Sequence, residues 1–279
     1  MRKPAQILSL SALEEILYKI QSVKVGVIGD MALDAYWYAD LTKSLLSRET
    51  PRFPRPVMRE EYAPGAGANV AQNLAAIDVG KITVYSVFGN DWRGNLLIQE
   101  LQKRGICTER VISSDMRTTS TYIKPILMGY ESQQEDSRID FENLNYLTAE
   151  IEDQLMQIIK NDISDLDGLY IADQFEHNGI ITDKIRNFLN QIAKEFPQKI
   201  FMVDSRKQIG EYKNIILKPN WVEATRVVYP GKDPRDWHFE ELSSIGAYLS
   251  QRTSRPVYIT ISDKGVLVCD VDEQSHIPS

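Results

Sequence analysis

Two carboxylates follow the first strongly apolar stretch of the chain. Residues 23–29 (VKVGVIG) are short, β-branched and ended by glycine, which predicts a buried strand, and Asp30 and Asp34 come directly after it. Carboxylates at the exit of a strand can accept hydrogen bonds from neighbouring hydroxyls, as recognition of a sugar requires. A turn aspartate followed by a solvated aspartate is an equally good interpretation of this pattern alone.

A glycine-rich stretch precedes a helix predicted over residues 69–77. In APGAGANVAQNLAAI, residues 63–77, Gly65 and Gly67 permit a close approach that a Cβ atom would prevent. Asn69 offers both a donor and an acceptor where the first N–H groups of the helix are exposed. The pattern fits either a ligand that reaches the main chain or a tight helix entry with an asparagine cap.

Three more polar groups follow predicted strands. Asp173 ends the strand GLYIAD, and Arg206 comes shortly after KIFMVD. Farther on, Asn220 and Glu223 lie three apart on an opening helix and therefore point the same way. An amide and a carboxylate there could order the waters around Mg²⁺, which keeps much of its hydration shell. The alternative is that Asn220 caps the helix and Glu223 occupies the favoured third helical position.

A polar turn, TISDKG, stands between the last two predicted strands, VYITIS and GVLVCD. It contains Ser262 and Gly265, and by itself it indicates a hairpin turn.

The elements that must position these residues alternate between strand and helix. This alternation predicts an α/β fold with a mainly parallel sheet and helices on both faces. Ligands on such sheets collect at the carboxyl ends of the strands, where the polar residues above are expected. Two regions, residues 35–62 and 118–141, are more polar and alternate like a sheet with one solvated face, so we expect them to form a small accessory sheet.

Composition narrows the classes of partner. The 279 residues carry 39 acidic and 32 basic side chains, a formal net charge of −7, without the basic excess of a nucleic-acid binder. Cys107 and Cys269 have no metal-ligand spacing, so we expect reduced thiols. No run approaches the ~20 apolar residues of a membrane span, and the N-terminus lacks a signal pattern. We therefore expect a cytoplasmic protein that binds a small molecule, with no nucleic-acid or membrane partner.

The order of these motifs resembles that of the ribokinase (pfkB) family of carbohydrate kinases. The resemblance runs through essentially the whole chain and rests on Gly29-Asp30 with Asp34, on PGAGANVA at residues 64–71, on Asn220-x-x-Glu223 and on the turn at residues 260–265. AYWY at residues 35–38, RIDF at residues 138–141 and Ser262 are most similar to the heptose-7-phosphate kinase branch. In contrast, the chain lacks the Gly-x-Gly-x-x-Gly pattern after its first strand, which argues against a dinucleotide-dependent oxidoreductase.

The resemblance implies one Rossmann-like, ribokinase-like domain over residues 1–279, with a lid from about 35–62 and 118–141. It implies a sugar or sugar phosphate bound between lid and body, a groove for ATP, and Mg²⁺ held through water by Glu223. The residues placed on the sugar site are Asp30, Asp34, Gly65, Gly67, Asn69, Arg138, Asp173 and Arg206. Those placed on the nucleotide and phosphate site are Asn220, Glu223, Ser262 and Gly265.

The sequence departs from the family pattern in its catalytic loop and in two expected lysines. The resemblance places the catalytic base in a Gly-Ala-Gly-Asp loop beyond the segment matching residues 276–278, so we expect a domain truncated at its C-terminal end with no catalytic base among residues 1–279. Glu176-His177 and Arg206 stand where heptose kinases are expected to carry lysines, and Arg206 can still hold a phosphate. The alternative function is a non-catalytic sugar- or nucleotide-binding relative. Because lid strands leave an exposed edge, we also expect a homodimer through the lid.

Overall fold

The chain forms a large, mainly parallel sheet with helices on both faces and a separate small sheet. A computed structural model describes residues 2–3, 8–231, 239–271 and 273–279. The strands are β1 (Arg2–Lys3), β2 (Lys24–Gly29), β3 (Met31–Asp40), β4 (Val57–Ala66), β5 (Lys81–Gly89), β6 (Val111–Ser114), β7 (Thr121–Met128), β8 (Gln133–Glu135), β9 (Ile139–Phe141), β10 (Gly168–Asp173), β11 (Ile200–Ser205), β12 (Ile216–Leu217), β13 (Val257–Thr260), β14 (Val266–Cys269) and β15 (Gln274–Ile277). The helices are α1 (Leu10–Ile20), α2 (Gly67–Ala76), α3 (Trp92–Gln102), α4 (Ala149–Asp162), α5 (Asp183–Glu195), α6 (Trp221–Val228) and α7 (Phe239–Thr253).

The strand order of the large sheet reverses its direction at β2. The order is β1-β15-β14-β13-β12-β11-β10-β2-β5-β6, and the pairs from β12 through β6 are parallel. The chain continues from β2 to β5 on one side of β2, whereas β10 pairs on its other side. Ligand crevices of open α/β sheets lie at such a reversal, outside the carboxyl ends of the strands. The ends of β2 and β10 therefore mark the place to look for a site.

The small sheet continues directly from the large one. Only Asp30 separates β2 from β3, the strand that pairs antiparallel with β4 and parallel with β7. Strands β8 and β9 both pair antiparallel with β7. The small sheet is thus joined to the carboxyl end of β2, which places it next to the crevice.

Side-chain alternation along the strands divides the core into two layers. Val27 and Val84 belong to the layer that packs with α3, whereas their neighbours Ile28 and Tyr85 belong to the layer that packs with α4 and α5. Successive residues of a strand point to opposite faces, so both faces of the sheet are covered here. The predicted α/β class is confirmed. Among the described residues, no helix combines the length and the apolar character needed to cross a membrane.

The observed boundaries differ from the predicted ones at several places. The small sheet starts at Met31 and reaches Ala66, beyond the predicted range of 35–62. Helix α2 starts at Gly67 rather than at Asn69, because the chain turns at Ala66, whose φ is 50°. A side-chain cap sets the start of helix α5: the Thr182 side chain accepts the Ile185 N–H, and the helix begins at Asp183.

Gly29 gives a test of the joint between the sheets. Its φ of +132° is rarely adopted by other residues, and a Cβ atom there would overlap the Ala172 carbonyl oxygen of the paired strand. We expect Gly29→Ala to lower the free energy of unfolding by about 3 kcal/mol or more. Gly105→Ala is the control, because its φ is +73° but no heavy atom lies within 4 Å; it should cost about 1 kcal/mol. Urea denaturation compares the two, and equal losses would contradict this account.

Candidate active site

A cleft of about 230 Å³ lies between the small sheet and the carboxyl ends of β10 and β11. One side comes from the small sheet and the residues next to it, and the other from the loops after β10 and β11. The residues that line it, here called the cleft residues, are Ser120, Tyr122, Arg138, Glu142, Asn143, Gln174, Phe175, Glu176, His177 and Arg206.

Two guanidinium groups from different parts of the chain line this cleft. Arg138 bonds both oxygens of Asp140, each at 2.6 Å, and its guanidinium lies 4.6 Å from the centre of the Tyr122 ring. Arg206 is exposed, and no carboxylate of the described residues forms an ion pair with it. Because a planar guanidinium matches the oxygens of a phosphate or carboxylate, this end of the cleft is suited to an anion.

Asp34 lies next to the cleft on β3. Its Oδ1 is 3.3 Å from Nζ of Lys124, and Lys124 also donates to the Tyr36 hydroxyl at 3.1 Å. The Cβ atom missing from Gly65 would lie 3.1 Å from the Asp34 carboxyl carbon, so Gly65 leaves room for that carboxylate. Asp34 is paired in register with Tyr122, a cleft residue, so this aspartate lies in the small sheet beside the cleft.

Asp30 has a different environment, although it is only four residues away. It is fully buried, and its carboxylate accepts the backbone N–H groups of Gln174, Phe175 and Ile180 at 2.9, 2.8 and 2.6 Å. Burial raises the pKa of this carboxyl from 3.8 to about 7, although the three hydrogen bonds favour the ionised form. The Asp30 side chain has no exposed surface in this structure, and its predicted contact with a sugar stays a prediction. Asp30 contacts the loop beneath the cleft.

Gly67, the first residue of α2, packs tightly against the Asp30 main chain. The Gly67 N–H donates to the Asp30 carbonyl oxygen at 2.8 Å, and a Cβ atom at Gly67 would lie 2.7 Å from both that oxygen and Cβ of Ala172. The close approach at Gly67 is thus to the protein itself. Asn69 is exposed in the first turn of α2, where its Oδ1 accepts a hydrogen bond from Gln72 at 2.6 Å.

Asp173 points away from the cleft. Its Oδ2 accepts hydrogen bonds from Ser205 at 2.7 Å and Tyr212 at 2.9 Å, and Nη2 of Arg186 lies 3.7 Å away. The Asp173 side chain lines a second cavity of about 440 Å³ beside α5 instead of the cleft. Burial raises its pKa above the ordinary value. Asp173 is thus a predicted sugar-site residue whose side chain lies outside the cleft lining.

A larger groove of about 520 Å³ lies beyond the carboxyl ends of β12 and β13. Ser262 and Gly265 have φ values of 50° and +87° and form the turn between β13 and β14 that lines it. Apolar walls come from Val222, Val266 and Ile277. A groove with apolar walls and a few polar groups suits the flat ring of a nucleobase. The sequence-predicted residues Asn220, Ser262 and Gly265 all meet here.

Asn220 and Glu223 form a capping box at the start of α6. The Asn220 side chain accepts the Glu223 N–H at 2.9 Å, and Glu223 Oε2 accepts the Asn220 N–H at 2.8 Å. Burial raises the pKa of Glu223, and the charge of nearby Asp204 raises it further. Lys218 Nζ lies 2.8 Å from Asp204 Oδ2 and offsets part of this repulsion, and a hydrated Mg²⁺ would offset more of it through its waters. The described residues contain no cluster of three or more His, Cys, Asp or Glu side chains that could hold a metal ion.

Several cleft residues carried no signal in the sequence. Tyr122, Asn143 and Gln174 are ordinary lid or loop residues by composition, and Lys124 contacts Asp34 only because β3 and β7 pair in parallel. Such contacts depend on non-local strand pairing. Glu176 and His177, which stand where the resemblance leads one to expect a lysine, also line the cleft.

Comparison with known proteins identifies the family. The model of the pfkB family of carbohydrate kinases matches residues 24–279. The chain belongs to this family. Among curated proteins, it is 25% identical over 272 residues to the bifunctional protein HldE of Trichlorobacter lovleyi, an alignment that covers 95% of this chain and 52% of that protein. The bifunctional protein HldE of Helicobacter pylori is 25% identical over 259 residues, 92% of this chain and 53% of that protein. This chain thus spans about half the length of these relatives.

Solved structures support the same fold. Phosphofructokinase-2 from Escherichia coli in complex with fructose-6-phosphate superimposes with a TM-score of 0.66 at 16% identity, covering 92% of this chain and 80% of that one. Arabidopsis thaliana ribokinase complexed with ribose and ATP gives a TM-score of 0.61 at 17% identity, covering 92% and 78%. The predicted ribokinase-like fold and the predicted pfkB family are both confirmed.

The raised pKa of Asp30 predicts a pH dependence of stability. Because this pKa is about 7 in the folded protein and near 3.8 without its environment, the folded protein binds the proton more tightly than the unfolded chain. The free energy of unfolding should therefore fall as pH rises from about 4 to about 7, by about 1.4 kcal/mol per pH unit. Relative to wild type, Asp30→Asn should lack this fall, because an amide does not titrate. Urea denaturation of both proteins across this range measures the difference, and parallel profiles would contradict the assignment.

Proposed function

We propose that this pfkB protein transfers a phosphoryl group from ATP to a sugar phosphate, with a heptose phosphate favoured. The observation that carries the proposal is the meeting of Arg138 and Arg206 at one cleft, with Arg206 outside any ion pair of the described residues. The cleft lining also includes Glu142 and Glu176, of which Glu176 pairs with Lys207, and Arg138 pairs with Asp140. Arg206, which has no such partner among the described residues, favours a substrate that bears an anion over a neutral sugar.

The comparisons support this choice of substrate class. The Escherichia coli neighbour holds fructose-6-phosphate, and the Arabidopsis neighbour holds ribose and ATP. The curated relatives are named bifunctional protein HldE, in agreement with the heptose-kinase resemblance of residues 35–38 and 138–141. At the low identities of the solved structures the likeness concerns the fold, so the substrate of this chain remains a proposal.

On the sugar side, Asp34 and Asn143 would receive and donate the hydrogen bonds of the polyol. Asp34 is partly exposed and paired with Lys124, so its carboxylate has a fixed position from which to accept hydrogen bonds from hydroxyl groups. Gly65 leaves space against Asp34, and Asn69 stands exposed at the start of α2. The predicted polyol contacts of these residues stay part of the proposal.

On the nucleotide side, Ser262 and Gly265 would line ATP, and Glu223 would hold Mg²⁺ through water. When bound, ATP would supply the phosphoryl group and Mg²⁺ would offset its charge. Arg206 lines the cleft, and its charge lowers the pKa of both Glu176 and Glu223. Its guanidinium would orient an anionic group of the substrate, and such positioning and charge stabilisation contribute to phosphoryl transfer.

Arg206→Gln tests the substrate class. Loss of a charge-assisted hydrogen bond costs about 1.5–3 kcal/mol, so the KM for a sugar phosphate should rise about 10- to 100-fold. The KM for the corresponding unphosphorylated sugar should change little. Coupled ATPase assays over hexose and heptose phosphates, with and without Mg²⁺, measure both constants.

Arg110→Gln is the matched control, because Arg110 pairs with Asp162 and does not line the cleft. Equal KM values for phosphorylated and unphosphorylated sugars would contradict the proposed substrate class. Binding of a sugar phosphate or ATP in calorimetry without turnover in the assay would favour the non-catalytic relative instead.

We also propose a homodimer through the small sheet. Strand β4 is an edge of that sheet, and its Val57 and Met58 side chains are 40% and 54% exposed. An edge strand with exposed apolar side chains is open to pairing with a second copy. Light scattering at tens of micromolar should give the mass of a dimer, and Met58→Lys should shift it towards the monomer. A monomer at all concentrations would contradict the proposal.

A further inference from the structure

One wall of the cleft is an irregular segment, residues 174–180. It supplies Gln174, Phe175, Glu176 and His177 to the cleft lining, although it belongs to no helix or strand. Among the described residues, no hydrogen bond joins two main-chain groups within this segment. A segment without its own hydrogen-bond ladder needs partners elsewhere, because buried main-chain groups are almost always paired.

Asp30 supplies those partners at both ends of the segment. Its Oδ2 accepts the N–H groups of Gln174 and Phe175, and its Oδ1 accepts the N–H of Ile180. Gly179 fits closely here, because a Cβ atom at that position would lie 3.0 Å from both carboxylate oxygens. One carboxylate therefore fixes the start and the end of the segment, and Glu176 and His177 between these ends line the cleft.

A second set of contacts holds the middle of the segment. Arg117 is buried, and it donates to the carbonyl oxygens of Asn178 and Asn145, each at 2.9 Å. The Asn178 side chain donates to the Asn143 carbonyl oxygen at 2.8 Å. Asn143 is itself a cleft residue that follows β9, so the segment is tied to the lid side as well as to Asp30.

The Asp30 main chain extends the same set of contacts. Its N–H donates to the Ala172 carbonyl oxygen at 2.9 Å, and its own carbonyl oxygen accepts the N–H of Gly67. Strand β10, helix α2 and the 174–180 segment are thus all bonded to this residue. Its side chain has no exposed surface from which to contact a ligand.

We propose that Asp30 is a positioning residue for the cleft, which acts by holding the 174–180 segment in the shape that lines the substrate site. The proposal rests on the proposed function for its effect on substrate, but the positioning itself can be measured without substrate. Asp30 acts here through the main chain of the segment, so substrate affinity should depend on how many acceptor oxygens it provides.

Amide hydrogen exchange of wild type, Asp30→Asn and Asp30→Ala provides the direct test. Asn keeps one acceptor oxygen and Ala keeps none, so exchange within residues 174–180 should quicken at least about tenfold in Ala and by a smaller factor in Asn. Calorimetry with fructose 6-phosphate should follow the same order, with a Kd weakened about tenfold in Ala. In turnover, the KM for the sugar phosphate should rise while the KM for ATP stays the same.

Asp167→Asn is the matched control, because Asp167 Oδ2 accepts the Lys24 N–H at 2.8 Å at the opposite end of the same strands. It should change neither the exchange of the segment nor the KM for the sugar phosphate. Gly179→Ala replaces the Asp30 variants if these fail to fold, and it should quicken exchange of the segment by displacing it from the carboxylate.

The outcomes separate the two proposals. Unchanged exchange of residues 174–180 in Asp30→Ala, or a uniform quickening over the whole chain, would overturn the positioning role. Unchanged exchange with weakened binding would instead make Asp30 a direct ligand contact. If wild type binds no sugar phosphate, the proposed function fails, and the exchange comparison alone still decides whether Asp30 holds the segment.

Discussion

Three backbone N–H groups converge on one buried carboxylate, and the architecture around the cleft depends on that convergence. Asp30 stands at the single residue between the large and small sheets, so its position is fixed by both. A buried carboxylate is costly unless hydrogen bonds compensate it, and here the compensation comes from a loop that otherwise lacks main-chain partners. The same contacts therefore satisfy the charge and shape the loop.

Two glycines make this arrangement sterically feasible. Gly29 adopts a φ that other residues rarely reach, which lets the Asp30 N–H bond to Ala172 on the neighbouring strand. Gly67 brings the start of α2 against the Asp30 carbonyl oxygen. The small residues of the APGAGAN stretch thus serve close packing of protein on protein at Gly67, and space beside the Asp34 carboxylate at Gly65.

Charged side chains near the cleft and the groove affect one another's ionisation. Lys218 is 2.8 Å from Asp204, and the pKa of Glu223 responds to Asp204, Lys218 and Arg206 together. Burial and the charge of Asp204 raise the pKa of Glu223, whereas Lys218 and Arg206 lower it, and the guanidinium of Arg206 suits an anion in the cleft. An anion site in the cleft and a cation site at Glu223 would together suit a reaction that moves a phosphoryl group between two bound molecules. The pfkB assignment gives the same expectation from an independent comparison.

The sequence determined the fold class and the approximate position of most elements, because periodicity, β-branching and glycine ends are local properties. It also identified Arg138, Arg206, Asn220, Ser262 and Gly265, which do line the cleft or the groove. What it could not decide is which way a polar side chain turns after a strand. Asp30, Asp34 and Asp173 look alike as strand-end aspartates, yet the first holds a loop, the second joins Lys124 on the lid, and the third faces α5. Only tertiary structure separates them, because each carboxylate is oriented by partners that are distant in the chain.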